Sequence, residues 1–215
     1  MTRLANQTAI CDLLRERPWL RRILVAYGLE PDSNQSLERA CRAAQVRAEE
    51  LGLHLSQVWD GPDGLRKLRP PQLLDYIVHC HHRYLRRVLP HLFDQARAAA
   101  RQNPRYQPVS YELAEFAREA NPHMFREEME VFPAIRDLHS SDQRAVHLPR
   151  WVRRLEQEHG KALQHFLALR QALRESGEDP ESRVLIAGLT ELDEDMRWHM
   201  YAENDLLFPS FRLSA

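Results

Sequence analysis

The sequence contains few glycines and no closely spaced pair of cysteines. Seven glycines in 215 residues disfavour a turn-rich β fold and suit long helices. The three cysteines, Cys11, Cys41 and Cys80, are far apart and odd in number. Because no C-x-x-C pair is present, neither a disulfide framework nor a thiolate zinc site is expected. These absences favour a helical protein in a reducing compartment.

The chain also lacks a charge excess of either sign and a long apolar run. Thirty Lys and Arg residues face 31 Asp and Glu residues, so no charged field indicates a nucleic-acid partner. No segment approaches the roughly 18 to 20 apolar residues that a membrane span needs. The first residues also lack the apolar core of a signal peptide. We therefore expect a cytoplasmic protein without a nucleic-acid or membrane partner.

Breaker residues divide the chain into two predicted domains. The densest cluster is Asp60-Gly-Pro-Asp-Gly64, and it is followed by Pro70-Pro71. Three short helical patterns precede it, at about residues 8–16, 18–28 and 35–49. The sequence thus predicts a small helical N-terminal domain at residues 1–60 and a second domain at residues 70–215.

Four long periodic segments follow the breaker cluster. Their apolar residues recur at alternating steps of three and four, which is the spacing of one helix face. The predicted helices cover about residues 71–102, 110–138, 148–175 and 180–207. Because short connections make neighbouring helices antiparallel, the pattern predicts an all-α fold with an antiparallel four-helix bundle.

One motif occurs twice in the bundle sequence. His123-Met-Phe-Arg-Glu127 is followed by four residues and Phe132-Pro133, and the same order returns from His199 and Glu203 to Phe208-Pro209. Residues four apart on a helix lie on one face, separated by about 6 Å along the axis. Each copy therefore offers an imidazole and a carboxylate side by side within an apolar stripe.

Buried imidazoles and carboxylates without partners cost several kcal/mol, so their presence in apolar stripes needs an explanation. His159 lies in the stripe of the third long helix, and His81 and His82 both share apolar stripes on the first. The helical period alone leaves open which of the last two faces the core. A pair of bound metal ions would make all these groups ligands. Imidazole with carboxylate suits iron, manganese or zinc, and we favour iron because a redox-active pair with an open position has an evident use.

Four segments together resemble a known family. They are Ile77-Val-His-Cys-His-His82 with Leu89-Pro90, the two copies of H-x3-E-x4-F-P, and Glu156-Gln-Glu-His159. Residues 70–215 resemble a hemerythrin-like domain, and the whole layout resembles the repair-of-iron-centres family of di-iron proteins. The resemblance implies terminal iron ligation by His82, His123, His159 and His199. It implies bridging roles for Glu127 and Glu203 between two iron ions, with room for an oxo or hydroxo bridge.

The same resemblance implies a function. It is the repair or protection of iron–sulfur proteins under nitric oxide or oxidative stress, with those proteins and a small diatomic ligand as partners. One alternative is a hemerythrin-like protein that binds dioxygen or nitric oxide for sensing or scavenging, or that reduces nitric oxide or turns over peroxide. Another is a metal-free helical interaction protein whose histidines are ordinary core residues. Where the family carries adjacent cysteines, this chain has Tyr27-Gly28, which shifts weight toward small-ligand binding.

The other candidate groups receive simpler interpretations. Glu128, Glu130, Glu156 and Glu158 are expected to face solvent or pair with arginines, with Glu156 as a candidate to orient a ligand. We interpret His54 as an ordinary residue of the N-terminal part. The remaining histidines are interpreted as surface residues or as supports of the ligands: His79, His81, His91, His139, His147 and His165.

Overall fold

A computed structural model describes residues 8–137, 146–177 and 182–212 of the chain. Within these ranges the regular structure is helical, and the only β-type pairing is an isolated bridge between Ala9 and Ser36. The prediction of an all-α fold is therefore confirmed. The chain divides into two compact units, Met1–Arg87 and Val88–Ala215. The predicted domain ranges stay a prediction, since a compact unit need not fold independently.

The first unit consists of short helices. They are α1 (Ile10–Glu16), α2 (Arg21–Ala26), α3 (Leu37–Ala43), α4 (Ala48–Gln57) and α5 (Pro70–Tyr76), with 3₁₀ turns at Pro18–Leu20 and Pro62–Lys67. A π-helical segment, Ile77–His82, then leads into α6 (Arg83–Gln102). Ile10, Leu20 and Leu51 are fully buried in this unit.

The prediction of one helix over residues 35–49 is wrong. The chain leaves the helical path between α3 and α4, where Gln45 adopts a positive φ of 56°. Such a conformation costs energy for a residue with a Cβ, and no sequence pattern here marks it. Within the breaker cluster, a Cβ on Gly64 would lie 2.0 Å from the carbonyl oxygen of Gln57, so the close approach there requires glycine.

The second unit contains the longer helices. It includes the later part of α6, a 3₁₀ turn at Pro104–Tyr106, α7 (Gln107–Arg126), a π segment at Glu127–Val131, α8 (Phe132–Arg136), α9 (Leu148–Ser176), α10 (Arg183–Met200), a π segment at Tyr201–Leu207 and a 3₁₀ turn at Phe208–Phe211. When the π segments are counted together with the helices that they join, the helical stretches agree with the predicted long helices to within about three residues wherever the structure describes the ends. The predicted end at residue 138 and the predicted start at residue 180 lie outside the described residues.

Pairings along α9 set the directions of its neighbours. His165 contacts Glu112 on α7 while Glu158, earlier on α9, contacts Arg126 at the end of α7. These two helices are therefore antiparallel. The same reasoning makes α9 and α10 antiparallel, from Arg170 with Asp193 and from His159 with Asn204 just beyond α10.

Apolar side chains fill the space between these helices. The Phe116 and Phe166 rings meet edge to face with centroids 4.9 Å apart. Helices α6 and α10 approach closely at Gly188, where a Cβ would lie 2.5 Å from Leu92 Cδ2. The predicted apolar stripe of α10 is buried along its length, at Leu185, Leu189, Leu192 and Met196. None of the helices that the structure describes is long and apolar enough to cross a membrane.

Candidate metal centre

The two copies of the sequence repeat occupy equivalent positions in the second unit. The Nε2 atom of His123 lies 3.0 Å from Glu127 Oε1, and the Nε2 atom of His199 lies 3.1 Å from Glu203 Oε1. Both glutamates are fully buried. Each helix thus presents an imidazole nitrogen and a carboxylate oxygen together inside the protein, as the spacing of four residues predicted.

Both glutamates lie where the α-helix gives way to π-helical turns. The segment Glu127–Val131 begins at the first glutamate, and Tyr201–Leu207 contains the second. In each case a proline, Pro133 or Pro209, follows two residues after the π segment ends. Proline has no N–H to donate to the residue four positions earlier, so it favours a departure from the α-helical ladder just before it. π turns inside helices are frequent at functional sites.

His159, on α9, lies between the two pairs. Its Nε2 atom is 3.0 Å from His123 Nε2, 3.1 Å from Glu203 Oε2 and 3.9 Å from Glu127 Oε1. Ligand atoms of His123, Glu127, His159 and Glu203 all lie within 4.8 Å of one another, and so do those of Glu127, His199 and Glu203. We refer to these five residues as the His/Glu cluster. The structure brings all of them together.

Hydrogen bonds on the far side of two rings determine which nitrogens carry lone pairs. His123 Nδ1 lies 2.8 Å from Glu158 Oε2, and His159 Nδ1 lies 2.8 Å from Asn204 Oδ1. Both partners are acceptors, so each Nδ1 donates a proton. In the neutral rings the lone pairs are then on the two Nε2 atoms, which face each other across 3.0 Å.

Such an arrangement is repulsive unless a positive charge lies among the atoms. Two nitrogen lone pairs and the oxygens of two buried carboxylates converge on one small region. A metal ion accepts all of these donors, and a supporting hydrogen bond on the other ring nitrogen is typical of histidines that bind metals. The donor set therefore fits a metal ion, and its nitrogen and oxygen atoms suit iron, manganese or zinc.

In the absence of a metal, a proton can supply this charge. Burial lowers the pKa of His123, but the carboxylates of Glu127 and Glu158 outweigh burial and raise that pKa to about 10. Burial opposes ionisation of Glu203, yet His199 and His159 hold its pKa well below the usual range. Metal binding at this cluster is therefore expected to release a proton, as is usual for sites built from histidines.

Glu158 pairs with Arg126 and Arg154, as the sequence indicated. Its contact with His123 and that of Asn204 with His159 were not predicted. Burial raises the pKa of Glu158, but His123, Arg126 and Arg154 lower it to about 2, so its carboxylate stays charged beside the His123 ring. Glu156, the residue expected to orient a ligand, pairs instead with Arg212. In the sequence, only the position of Glu158 directly before His159 indicated such a role. Its partner His123 lies on a different helix, and a single sequence does not show which helices meet.

The other predicted histidines have varied environments. His82 lies in the first unit, in the π segment Ile77–His82, and is fully buried. Its role as the sixth ligand stays a prediction, as does the choice of His82 over His81. His81 is also buried and so is not a surface residue. His91 and His147 are exposed as expected, whereas His139 lies outside the described residues. His54 is fully buried and has several polar neighbours, and its interpretation as an ordinary residue stays a prediction.

The all-α bundle and the buried His/Glu cluster together identify this chain as a helical protein with a candidate metal centre. No protein-family model matches the chain. It is similar to the iron-sulfur cluster repair protein YtfE of Citrobacter koseri, with 25% identity over 185 residues that cover 81% of this chain and 82% of the relative. The protein of the same name from Escherichia coli O8 is 24% identical over the same shares of both chains.

Proposed function

We propose that the His/Glu cluster, completed by His82, holds two iron ions. The observation that carries this proposal is the convergence of two Nε2 lone pairs and two fully buried carboxylates, which requires a positive charge among them. The resemblance of the sequence to di-iron proteins supports the choice of iron and the assignment of His82. It also supports bridging roles for Glu127 and Glu203 and terminal ligation by the four histidines.

The chain's own residues orient the ligands and exclude water. Glu158 and Asn204 hold the His123 and His159 rings with Nε2 toward the cluster. The Phe208 ring lies nearly parallel to the His159 ring, with centroids 6.1 Å apart and an interplanar angle of 9°. Buried Phe132 and Met124 add apolar cover in the same helical region. When bound, a pair of iron ions would supply redox chemistry and an open position for a small ligand.

The biological role we propose is the repair or protection of iron–sulfur proteins, under nitric oxide or oxidative stress. Similarity to repair proteins over about four-fifths of the chain supports the general role. The restoration of activity to a damaged iron–sulfur enzyme by the iron-loaded protein would test it. A failure to restore activity, with the centre fully loaded, would contradict the repair function.

The alternative is a protein that binds dioxygen or nitric oxide at the same centre without repair activity. Tyr27 favours this alternative, because it stands where the resembling family carries thiols. The deep burial of the cluster also suits a small ligand better than a large one. Adding nitric oxide to the reduced protein separates the versions, since nitrous oxide forms only if the ligand is turned over, and a stable spectral change alone indicates binding.

Alanine substitution of the proposed bridging residues tests the metal assignment. We expect Glu127→Ala and Glu203→Ala each to lower the iron bound per chain by at least half, because each removes a carboxylate shared by both ions. Glu130→Ala is a matched control, since Glu130 is an exposed glutamate of the same π segment as Glu127. Iron per folded chain is measured by elemental analysis. Equal iron content in all three variants would contradict the assignment.

A further inference from the structure

A second group of possible metal ligands lies in the first unit, outside the His/Glu cluster. His54 comes from α4, Asp75 from α5, and His79 from the π segment that follows α5. One ligand atom of each residue lies within 4.8 Å of the other two. We call these three residues the N-terminal triad. Two imidazoles and one carboxylate are the ligand set of many divalent-metal sites with open positions.

The buried member of the triad is held by a chain of hydrogen bonds. His54 is fully buried, and its Nδ1 lies 2.6 Å from the hydroxyl oxygen of Tyr27. That hydroxyl lies 3.0 Å from Glu50 Oε1 and donates to it. Because a tyrosine has a single hydroxyl hydrogen, the oxygen of Tyr27 then accepts from the Nδ1–H of His54. The lone pair of a neutral His54 ring is therefore on Nε2.

This lone pair faces a carboxylate. His54 Nε2 lies 3.2 Å from Asp75 Oδ2, a distance at which two electron-rich atoms repel each other unless a cation or a proton lies between them. A metal ion satisfies both atoms without protonating the ring.

The third member, His79, lies close to the other two. Its Nδ1 lies 2.9 Å from the backbone carbonyl oxygen of Asp75 and 3.4 Å from Asp75 Oδ1. The His79 and His54 rings are stacked, with centroids 5.4 Å apart. The side chains of Asp75 and His79 are 41% and 34% exposed. An ion can therefore enter from solvent, and water can complete its coordination.

We propose that the N-terminal triad binds one divalent transition-metal ion, such as Fe²⁺, Co²⁺ or Zn²⁺, at a mononuclear site separate from the His/Glu cluster. His54 binds through Nε2, Asp75 through its carboxylate and His79 through its imidazole ring, while Tyr27 and Glu50 fix the tautomer of His54. Mg²⁺ and Ca²⁺ are excluded as the preferred ions, because they favour shells made entirely of oxygen. The site does not depend on the proposed function of the bundle.

Equilibrium dialysis of the full-length protein against Co²⁺ tests this site, after the protein has first been loaded with iron. Asp75→Asn and His79→Ala each remove one ligand at a partly exposed position, and circular dichroism checks that each variant is folded. His91→Ala is the control, since His91 is an exposed histidine outside the triad. We expect the wild type and the control to bind one more Co²⁺ per chain than either triad variant. Where a variant still binds this ion, its affinity should be at least tenfold lower than that of the wild type.

Tyr27→Phe separates a metal site from a purely structural cluster. It keeps all three ligands and removes only the oxygen that accepts from His54 Nδ1–H, so we expect Co²⁺ affinity to fall roughly 10- to 100-fold while the number of sites stays the same. If Asp75→Asn and His79→Ala bind as much Co²⁺ as the wild type, and as tightly, the proposed site is overturned. Loss of one Co²⁺ from these variants in a chain whose bundle takes up no iron would support the triad and overturn only the proposed function.

Discussion

Two histidine tautomers decide, at the scale of single residues, what the bundle can bind. His123 and His159 each donate from Nδ1, to Glu158 and Asn204, so each directs a lone pair from Nε2 toward the other ring and toward a carboxylate. With these partners exchanged for donors, the same rings would present N–H groups to the cluster and could not bind a metal. The supporting residues are therefore as important to the site as the proposed ligands.

The substitution Glu158→Gln tests this dependence. Glutamine can still accept from His123 Nδ1, but it lacks the negative charge that makes the His123 ring a stronger ligand for a metal ion. We therefore expect the iron affinity of the bundle to fall roughly 10- to 100-fold. Glu156→Gln is the control, because Glu156 pairs with Arg212 rather than with a ligand. Iron retention is measured by titration with a chelator. Identical retention curves for the two variants would count against a role for Glu158.

Single residues also show how far the sequence leads and where it stops. The spacing of His123 with Glu127 and of His199 with Glu203 predicted side chains that meet on one face, because this depends only on the helical period. Glu158 and Asn204 act across helices, on His123 of α7 and His159 of α9. Their roles depend on which faces meet in the fold, and the sequence alone does not specify that.

The main departure from ideal geometry, at the scale of secondary structure, is the use of π turns beside the proposed ligands. Three such segments are present in the described residues, at Ile77–His82, Glu127–Val131 and Tyr201–Leu207. Each contains one of the six predicted ligands. A π turn admits an extra residue into the helix and changes the direction of the side chains around it. The lengths of the long helices were predictable from their apolar period, whereas these local turns were not.

Two glycines, one inside α9 and one directly after it, give a matched pair of predictions about helix stability. Gly177 ends the helix with φ 77° and ψ 169°, a conformation open almost only to glycine, so Gly177→Ala should lower the free energy of unfolding by about 1–3 kcal/mol. Gly160 is exposed inside the same helix, and a Cβ there meets nothing within 4 Å. Gly160→Ala should raise the free energy of unfolding by about 0.5–1 kcal/mol.

Urea denaturation followed by circular dichroism measures both changes. The two substitutions are expected to change the free energy of unfolding in opposite directions. A stabilising Gly177→Ala would mean that the chain leaves the helix by a different path at this position. A destabilising Gly160→Ala would mean that an added methyl group meets a neighbour at this point of α9.

The proposed centre, at the scale of the whole molecule, draws on residues that are far apart in sequence. Its six predicted ligands extend from residue 82 to residue 203, and the ligand atoms of His123, Glu127, His159 and Glu203 all lie within 4.8 Å of one another. Burying two carboxylates would destabilise the fold without compensation, so metal binding and folding are expected to be linked. The sequence predicted the helices and the spacing that brings His123 to Glu127 and His199 to Glu203. It could not decide which face of the first long helix contributes a ligand.

A separate prediction concerns which of His81 and His82 binds iron. The resemblance assigns ligation to His82, so His82→Ala should reduce iron per folded chain more strongly than His81→Ala. Both residues are buried, which makes the pair well matched for lost packing. Iron content of the folded fraction, separated by size-exclusion chromatography, is the measurement. A greater loss from His81→Ala would mean that the other histidine of this helix is the ligand.

The most direct test of the central claim is the metal content of the protein purified from its own cell. The account predicts two irons per chain, and their amount should fall in Glu127→Ala and Glu203→Ala but not in Glu130→Ala. Protein that contains no iron, or a single iron unaffected by these glutamate substitutions, would contradict a dinuclear centre in the bundle.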